Sequence, residues 1–555
     1  MINPFRNRIV ADPWRPSEID VTEIHSNAFS LCCDALDSVQ KEGRSTSVLL
    51  YGETGSGKTH LLSRLQHHCL TLPHLHIFAS VRLHTSPNHF WRHLRASIIE
   101  SLFRPARKGH PQLKLIFMRR LFLLCRKRAI SLHELAVLTT SIQADSRLSP
   151  GLCQALQFLM QDRHVPDIIA WLKGYSLPES ACLELKIEPP NDNDEPEDSA
   201  RKLILELCRL AGATIPVVLS FDQIEALQRY PKDIGGLFRF GQAIRTLHDE
   251  TTNLLLITCI QTFFLDELRQ AVMSPDFDAM SCHSLTLDIL ERRQAMKLVT
   301  ARIEAVTRSD FDKARLLQVL SADVATFTGG AGKTARSILG RCADIFDNIF
   351  SASITPETEA PMVSEENLLY KEMAKREAGA LNRITPEGMD ELMSAILPSL
   401  IHIRNERCWE NERESNSRDI DMVFVCPEHT TGVSLCNQRN LTSLAAKFRH
   451  LLEDMPLGKS ERLLMLRHPQ LWVDAPLSVK ATTYLQELQD AGARLIIPSP
   501  EILAALSALE SLLSDARSGD LLHDDRPVHE ITVRRWITSL SDTPVMVFVN
   551  DLFQN

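Results

Sequence analysis

A chain of 555 residues is long enough for three or four domains, each able to bury its own core. With 44% hydrophobic and 24% charged residues it has an ordinary globular composition, and no run of about 18 consecutive apolar residues suggests a membrane span. A net charge of −9 excludes a protein that coats nucleic acid with its whole surface, but leaves room for a local basic patch. The thirteen cysteines contain no C-x-x-C pair, Cys32 and Cys33 are adjacent, and Met1 to Arg6 lacks an apolar run. Reduced thiols and a cytoplasmic location are the expectation.

Residues 1–20 are irregular, and Ile24 to Val39 has the spacing of an amphipathic helix with Phe29, Leu31, Cys32, Leu36 and Val39 on one face. Ser47 to Tyr51 then reads as a short buried strand and Thr59 to Leu65 as the start of a helix. The turn between them, Gly52-Glu53-Thr54-Gly55-Ser56-Gly57-Lys58-Thr59, fits G-x-x-x-x-G-K-[ST]. Glycines let backbone N–H groups wrap a phosphate, and the helix N-terminus adds partial positive charge. Lys58 can reach β- and γ-phosphates, and the Thr59 hydroxyl can ligate Mg²⁺. ATP and Mg²⁺ are therefore the expected ligands, held by residues 52–59 with His60 next in the helix.

Leu75 to Leu83 predicts a second strand, and Thr85-Ser86-Pro87 the opening of a helix carrying Phe90, Trp91, Leu94 and Ile98. Eight histidines fall between His60 and His93, none with zinc-finger spacing, so a metal cluster is not expected. Residues 104–128 carry nine basic side chains and no acidic one, interleaved with Leu113, Ile116, Phe117, Leu121 and Leu124. This predicts a helix with a basic face, either a contact to a phosphate backbone or an acidic partner, or else a solvated surface or an internal match for the acidic run further on. Residues 130–185 are helical in pattern. Glu188 to Asp198 is an acidic loop, after which Ser199 is a candidate cap for a helix ending near Gly212.

Val217 to Asp222 reads as a buried strand ending in an acid, expected beside the strand before the glycine loop. Such an Asp holds Mg²⁺. The next residue is Gln223, where many ATPases carry a glutamate that activates water; Glu225 is two further on. Leu254 to Gln261 is another apolar strand, whose Thr258 or Gln261 can sense a γ-phosphate. Arg269, Arg292 and Arg293 are candidate fingers for a neighbouring subunit. Gly329 to Thr334 imitates the glycine loop, but Phe327 stands where its first Gly belongs; a glycine turn opening a helix from Thr334 to Phe346 fits better.

In this order, with Gly332-x-x-x-Arg336 closing the helical segment, residues 20–350 resemble the AAA+ and STAND ATPases, particularly their origin-recognition branch. The resemblance places Arg336 as the second sensor arginine of a helical lid. Ala170 to Gly174 with Leu177-Pro178-Glu179 is similar to ATP-binding proteins of bacterial phage-defence (BREX-type) loci. Gln223 and the long helical insertion depart from the pattern.

Residues 355–364 read as a linker and Glu365 to Leu381 as a charged helix. Asp421 to Val425 and Gly432 to Cys436 predict a hairpin, followed by helix Leu441 to Leu452 and strands at Arg462 to Leu466 and Ala493 to Ile497. The order resembles restriction-endonuclease-like folds, which want an acid at the first strand and E-x-K on the second. Asp419 or Asp421 serves as the first; Val433 to Asn437 offers neither acid nor lysine, and Cys426, His429 and Cys436 make a poor metal set. Asn437 to Asn440 is a candidate partner contact, and Ile531 to Ile537 is either a DNA-reading helix or a packed one.

The fold expected is α/β: a P-loop NTPase parallel-sheet core with a helical insertion and a helical lid, then a small C-terminal α/β domain. The divisions are 1–45 (segment and helix), 46–270 (core, insertion about 95–200), 271–352 (lid), 353–390 (linker and charged helix), 391–500 (α/β domain) and 501–555 (helical tail). The chemistry expected is that of an ATPase switch in a nucleic-acid transaction or a phage-defence complex. Its catalytic groups would be Glu225, Gln223, Thr258, Gln261 and Arg336, and its metal ligands Thr59 and Asp222. DNA through 104–128 or the C-terminal domain, a protein partner or a second copy are the expected partners. A non-hydrolysing scaffold and an ATP-gated nuclease are the alternatives.

Overall fold

The computed structural model describes residues 3–6, 13–14, 19–83, 89–106, 109–128, 142–144, 147–175, 177–187, 196–212, 215–228, 233–306, 310–328, 333–351, 365–410, 419–427, 429–453, 461–474, 477–523 and 526–553. The predicted opening of a helix at 85–87, the acidic loop 188–195, the glycine turn 329–332 and the linker 355–364 lie outside them.

Five parallel strands form the first sheet: β1 (Thr46–Gly52), β2 (Ile77–Arg82), β3 (Val217–Asp222), β4 (Leu254–Ile260) and β5 (His283–Leu287), in the order β2-β3-β4-β1-β5. β4 reads Leu-Leu-Leu-Ile-Thr-Cys-Ile and is buried throughout, as a central parallel strand covered on both faces must be. Contrary to the expectation, β3, the strand ending in Asp222, is not the neighbour of β1, the strand before the glycine loop. β4 pairs with both, Val48 opposite Ile257 and Phe221 opposite Thr258. A second strand therefore separates the acid from the glycine loop in the sheet. Both still open at its C-terminal edge, where open α/β sheets bind ligands. β5 has no counterpart in the sequence reading, because His-Ser-Leu-Thr-Leu buries only its last residue fully and shows no apolar run.

Helices cover both faces. On one side lie α1 (Ser26–Glu42) and α2 (Lys58–Thr71), whose Cys32, Leu36, Leu61 and Leu65 pack on Val48, Leu50 and Ile257. The other face carries the crossover between β2 and β3. It comprises α3 (Phe90–Phe103), α4 (Gln112–Arg128), α5 (Pro150–Met160), α6 (Val165–Lys173), α7 (Glu179–Leu185) and α8 (Pro196–Ala211), in one apolar cluster with the sheet. α8 begins at Pro196, so Ser199 sits within its first turn rather than at its cap. α9 (Gly235–Glu250), α10 (Leu265–Ala271) and α11 (Ser274–Met280) complete this unit.

The helices α12 (Arg292–Val306), α13 (Asp310–Phe327) and α14 (Ala335–Ser351) form a separate cluster. Phe5 inserts among them, and Asn3 Nδ2 donates to Ala343 O (3.1 Å) and Asp347 Oδ1 (2.9 Å).

After α15 (Glu365–Ala380) and α16 (Pro386–Arg404) comes a second sheet of β6 (Trp409–Glu410), β7 (Met422–Val425), β8 (Thr430–Leu435), β9 (Glu461–Leu466) and β10 (Arg494–Ile496). Its order is β10-β9-β8-β7-β6, antiparallel from β6 to β8 and parallel from β8 to β10. α17 (Leu441–Glu453), α18 (Pro469–Asp474) and α19 (Val479–Asp490) connect its strands. α20 (Pro500–Ser518), α21 (Glu530–Ser539) and α22 (Pro544–Phe553) follow, with the small hairpin β11 (Leu522–His523) and β12 (Arg526–Pro527) between the first two. One apolar cluster runs from Leu369 to Leu552, so α20 to α22 pack on the same core as this sheet. Val533, Trp536 and Ile537 face into it, which makes 531–537 a packed helix. Cys408 and Cys426 are joined in a disulfide, contrary to the expectation of thiols throughout; the flanks of paired strands β6 and β7 bring them to a Cα separation of 4.3 Å.

Candidate functional site

The glycine loop closes over the start of α2 with Gly55 and Gly57 at φ 77° and 110°, a region that disfavours side chains. A Cβ on Gly55 would stand 2.6 Å from the Cβ of Arg336, so the glycine also makes room for the helical lid. Arg336 N donates to Gly55 O (3.2 Å), tying α14 to the loop. Lys58 Nζ is turned onto the loop's own carbonyls, Gly52 O at 2.7 Å and Glu53 O at 3.2 Å. Thr59 Oγ1 donates to Asp222 Oδ2 at 2.7 Å, so the ends of the loop and of β3 meet despite the strand between them. Burial raises the Asp222 carboxyl above its usual range, against the Thr59 hydrogen bond and Lys58, which lower it.

The short 3₁₀ turn Ile224–Leu227 after β3 carries Glu225 inward. Glu225 is 6% exposed; Oε1 accepts from Gln261 Nε2 (2.6 Å), while Oε2 has no partner among the described residues. Burial pushes its carboxyl up to about 7. Gln261 accepts in turn from Thr54 Oγ1 (2.9 Å), which joins the end of β4 to the glycine loop. Gln223 lies in the left-handed region at φ 60°.

These groups line one cleft. Thr54 to His60, Asp222, Gln223, Glu225, Gln261 and Arg336 all face it. Gly52 and Glu53 do not line it. Thr258 does not face it: it is fully buried in β4. Arg269 stacks on Phe277 at 4.9 Å, and neither it nor Arg292 nor Arg293 lines the cleft. His60 lies 3.7 Å from Asp20, and burial lowers its pKa.

Several lining residues carry no local sequence signal. His25 Nε2 hydrogen-bonds Ser56 O (2.8 Å), Arg302 and Leu298 come from α12, and Ile19, Val21 and Ile24 from the segment before α1. Ser518 and Asp520, almost 300 residues beyond β3, close one side. Only the structure brings these together.

Two other candidates resolve differently. In the basic stretch, Leu113, Ile116, Phe117, Leu121 and Leu124 are buried as the spacing requires. Lys114 is buried as well, 2.5 Å from the exposed Asp162, and Arg104 lies 3.4 Å from Glu100, so at least two of the nine basic groups are engaged in ion pairs within the chain. Arg107 and Lys108 lie outside the described residues. In the C-terminal sheet Asp421 accepts from Leu435 N (2.7 Å) and Lys447 (3.0 Å), and Asp419 meets His450 at 2.9 Å. No His, Cys, Asp and Glu group among the described residues has the arrangement of a metal site.

The family model for the AAA ATPase domain matches residues 29–257. This stretch is an AAA ATPase domain. The match runs from α1 through most of β4 and includes the glycine loop and Asp222. No curated protein matches the chain. Among solved structures it is similar to the Orc1 protein of Aeropyrum pernix in complex with DNA, at 12% identity and TM-score 0.29, covering 87% of this chain and 88% of that one. It is also similar to the ADP form of the Orc2 protein of Aeropyrum pernix, at 13% identity and TM-score 0.33, covering 68% and 77%. Cdc6p of Pyrobaculum aerophilum matches at 12% identity and TM-score 0.32, covering 87% and 90%. No helix among the described residues is long and apolar enough to cross a membrane.

Proposed function

We propose that the chain is an ATP-binding switch whose ATPase domain holds the phosphates on residues 52–60 and hydrolyses ATP slowly. The observation that carries this reading is the meeting of Thr59 with Asp222 in the cleft where one buried oxygen of Glu225 has no partner among the described residues. A hydroxyl and a carboxylate are hard oxygen donors of the kind Mg²⁺ takes, and a buried Asp222 gains from a cation beside it. Bound there, the ion would neutralise charge on the β- and γ-phosphates.

The chain's own groups divide the remaining work. The Lys58 ammonium leaves its loop carbonyls for phosphate oxygens. Glu225 accepts the proton of the attacking water, with Gln261 fixing the other carboxylate oxygen. Arg336 reports from the lid whether a γ-phosphate is present. Gln223 has no proton-accepting carboxylate and leaves the base role to Glu225, which is why slow turnover is expected. DNA, by way of the exposed Arg119 and Arg126 in α4, is the partner we favour for this switch, in a nucleic-acid or phage-defence setting.

ATP turnover by the wild type and Lys58→Ala, each with and without duplex DNA, tests this. Turnover that DNA stimulates and Lys58→Ala abolishes is the expected result. Tight ATP binding with no turnover in either condition would instead favour the scaffold reading that Gln223 suggests.

A further inference from the structure

The three side chains best placed to recognise a third phosphate are all engaged by one short stretch of the C-terminal region. Arg336 Nη2 pairs with Asp520 Oδ1 at 2.5 Å, and its Nη1 donates to Gly519 O at 2.7 Å. Gln223 Nε2 donates to Asp520 Oδ2 (3.0 Å). Gln261 Nε2 donates to Arg517 O (3.2 Å). The turn lies hard against the phosphate loop: Gly519 has φ +71°, and a Cβ there would stand 2.5 Å from Thr54 Cγ2. Ser518 Oγ donates to Asp520 Oδ2 (3.1 Å) and holds the carboxylate in place.

We propose that Asp520 sets the cleft's preference between nucleoside diphosphate and triphosphate, and that residues 517–520 leave the glycine loop when a third phosphate arrives. This rests on the nucleotide reading above. Asp520 is an anion held in the cleft on the cation that a γ-phosphate requires. The pair is partly shielded from water, Arg336 and Asp520 being 15% and 21% exposed, so charge is screened less than on the open surface. A diphosphate leaves the ion pair intact. A triphosphate brings further negative charge to the same guanidinium, and the two anions compete for it. Because coupling is reciprocal, whatever the γ-phosphate does to the turn, the turn does to the affinity for the γ-phosphate. Displacement also frees the end of α20, which carries the state of the cleft into the C-terminal core.

The test is calorimetric titration of the full chain with ADP and with adenylyl imidodiphosphate, a triphosphate that resists hydrolysis, both in Mg²⁺. Wild type, Asp520→Asn, Gly519→Ala, Lys58→Ala and the pair Arg336→Ala and Arg336→Ala/Asp520→Asn are compared. Asp520→Asn is expected to shift the ratio of the two Kd values about tenfold toward the triphosphate, within the usual range of coupling between sites. Gly519→Ala, which pushes the turn off Thr54 without touching a charge, shifts it the same way. In the Arg336→Ala background Asp520→Asn then adds nothing. A ratio unchanged in both Asp520→Asn and Gly519→Ala, in protein whose binding Lys58→Ala removes, overturns the proposal and leaves the nucleotide reading standing. Failure of the wild type and Asp520→Asn to bind either nucleotide overturns both.

Discussion

Glu225 is a carboxyl group in a setting that opposes its charge. Burial pushes it up to about 7, and among the described residues only Oε1 has a partner, Gln261. As a proton acceptor it works only when ionised. The ionised fraction of the free protein rises with pH up to about 7 and levels off above it. We therefore expect kcat/KM for ATP to fall about tenfold for each pH unit below that point, and Glu225→Gln to flatten the profile. The same substitution should lower kcat by about 10² or more while ATP binding by calorimetry stays within a few-fold, which separates a base from a structural carboxylate. Glu225 was legible as a candidate because it lies three residues beyond Asp222. His25, Arg302 and Asp520 were not: each reaches the cleft through tertiary packing, from sequence with no motif of its own. Thr258 shows the converse. A polar residue near the end of an apolar strand reads as a sensor, but strand alternation turns its side chain to the helix-covered face that Leu256 and Ile260 share.

Helix α20 binds the cleft to the C-terminal core. Ser499 Oγ accepts from Ile502 N at its N-terminus, Pro500 stands in its first turn, and Gly519 in the left-handed conformation ends it. Along its length Leu503, Leu506, Leu509, Leu512 and Leu513 are buried. Leu509→Ala leaves a cavity at a fully buried position and should cost about 2–5 kcal/mol, read as a lower urea midpoint for C-terminal unfolding. Ser499→Ala should cost about 1 kcal/mol in the same assay. Elements with strong periodicity were legible: β4, the apolar stripe of α4, and the hairpin β7 and β8. β5 and β6 were not. The first is half-exposed with mixed side chains, and the second is two residues long. Spatial order of strands was the harder matter, since nothing local in Val217 to Asp222 says that β4 comes between it and β1.

Across the whole molecule, polar ties rather than a shared apolar core join the ATPase domain to the C-terminal region. Asp515, which also holds Arg376 of α15 within the C-terminal region (2.8 Å), meets Arg82 of β2 (3.1 Å), Ser394 Oγ lies 2.6 Å from His89 Nδ1, and Asp421 lies 3.7 Å from His89. Interfaces of this kind allow the two bodies to move against each other. Asp515→Asn removes the charge shared between Arg82 and Arg376. Small-angle scattering should then give a radius of gyration above that of the wild type, which for a compact chain of this length is about 24 Å. An unchanged radius would mean that the remaining ties hold the closed arrangement alone. The cleft's walls also have a history. The chain emerges from the ribosome N-terminus first, and domains fold as they appear. The glycine loop and β3 are thus complete long before residue 520 is made, and a growing chain carries its cleft without the C-terminal wall. If Asp520 biases the finished protein toward diphosphate, the nascent ATPase domain lacks that bias. It meets its first nucleotide under different rules from the chain that already carries residue 520, and the arrival of that residue is the step that sets the switch.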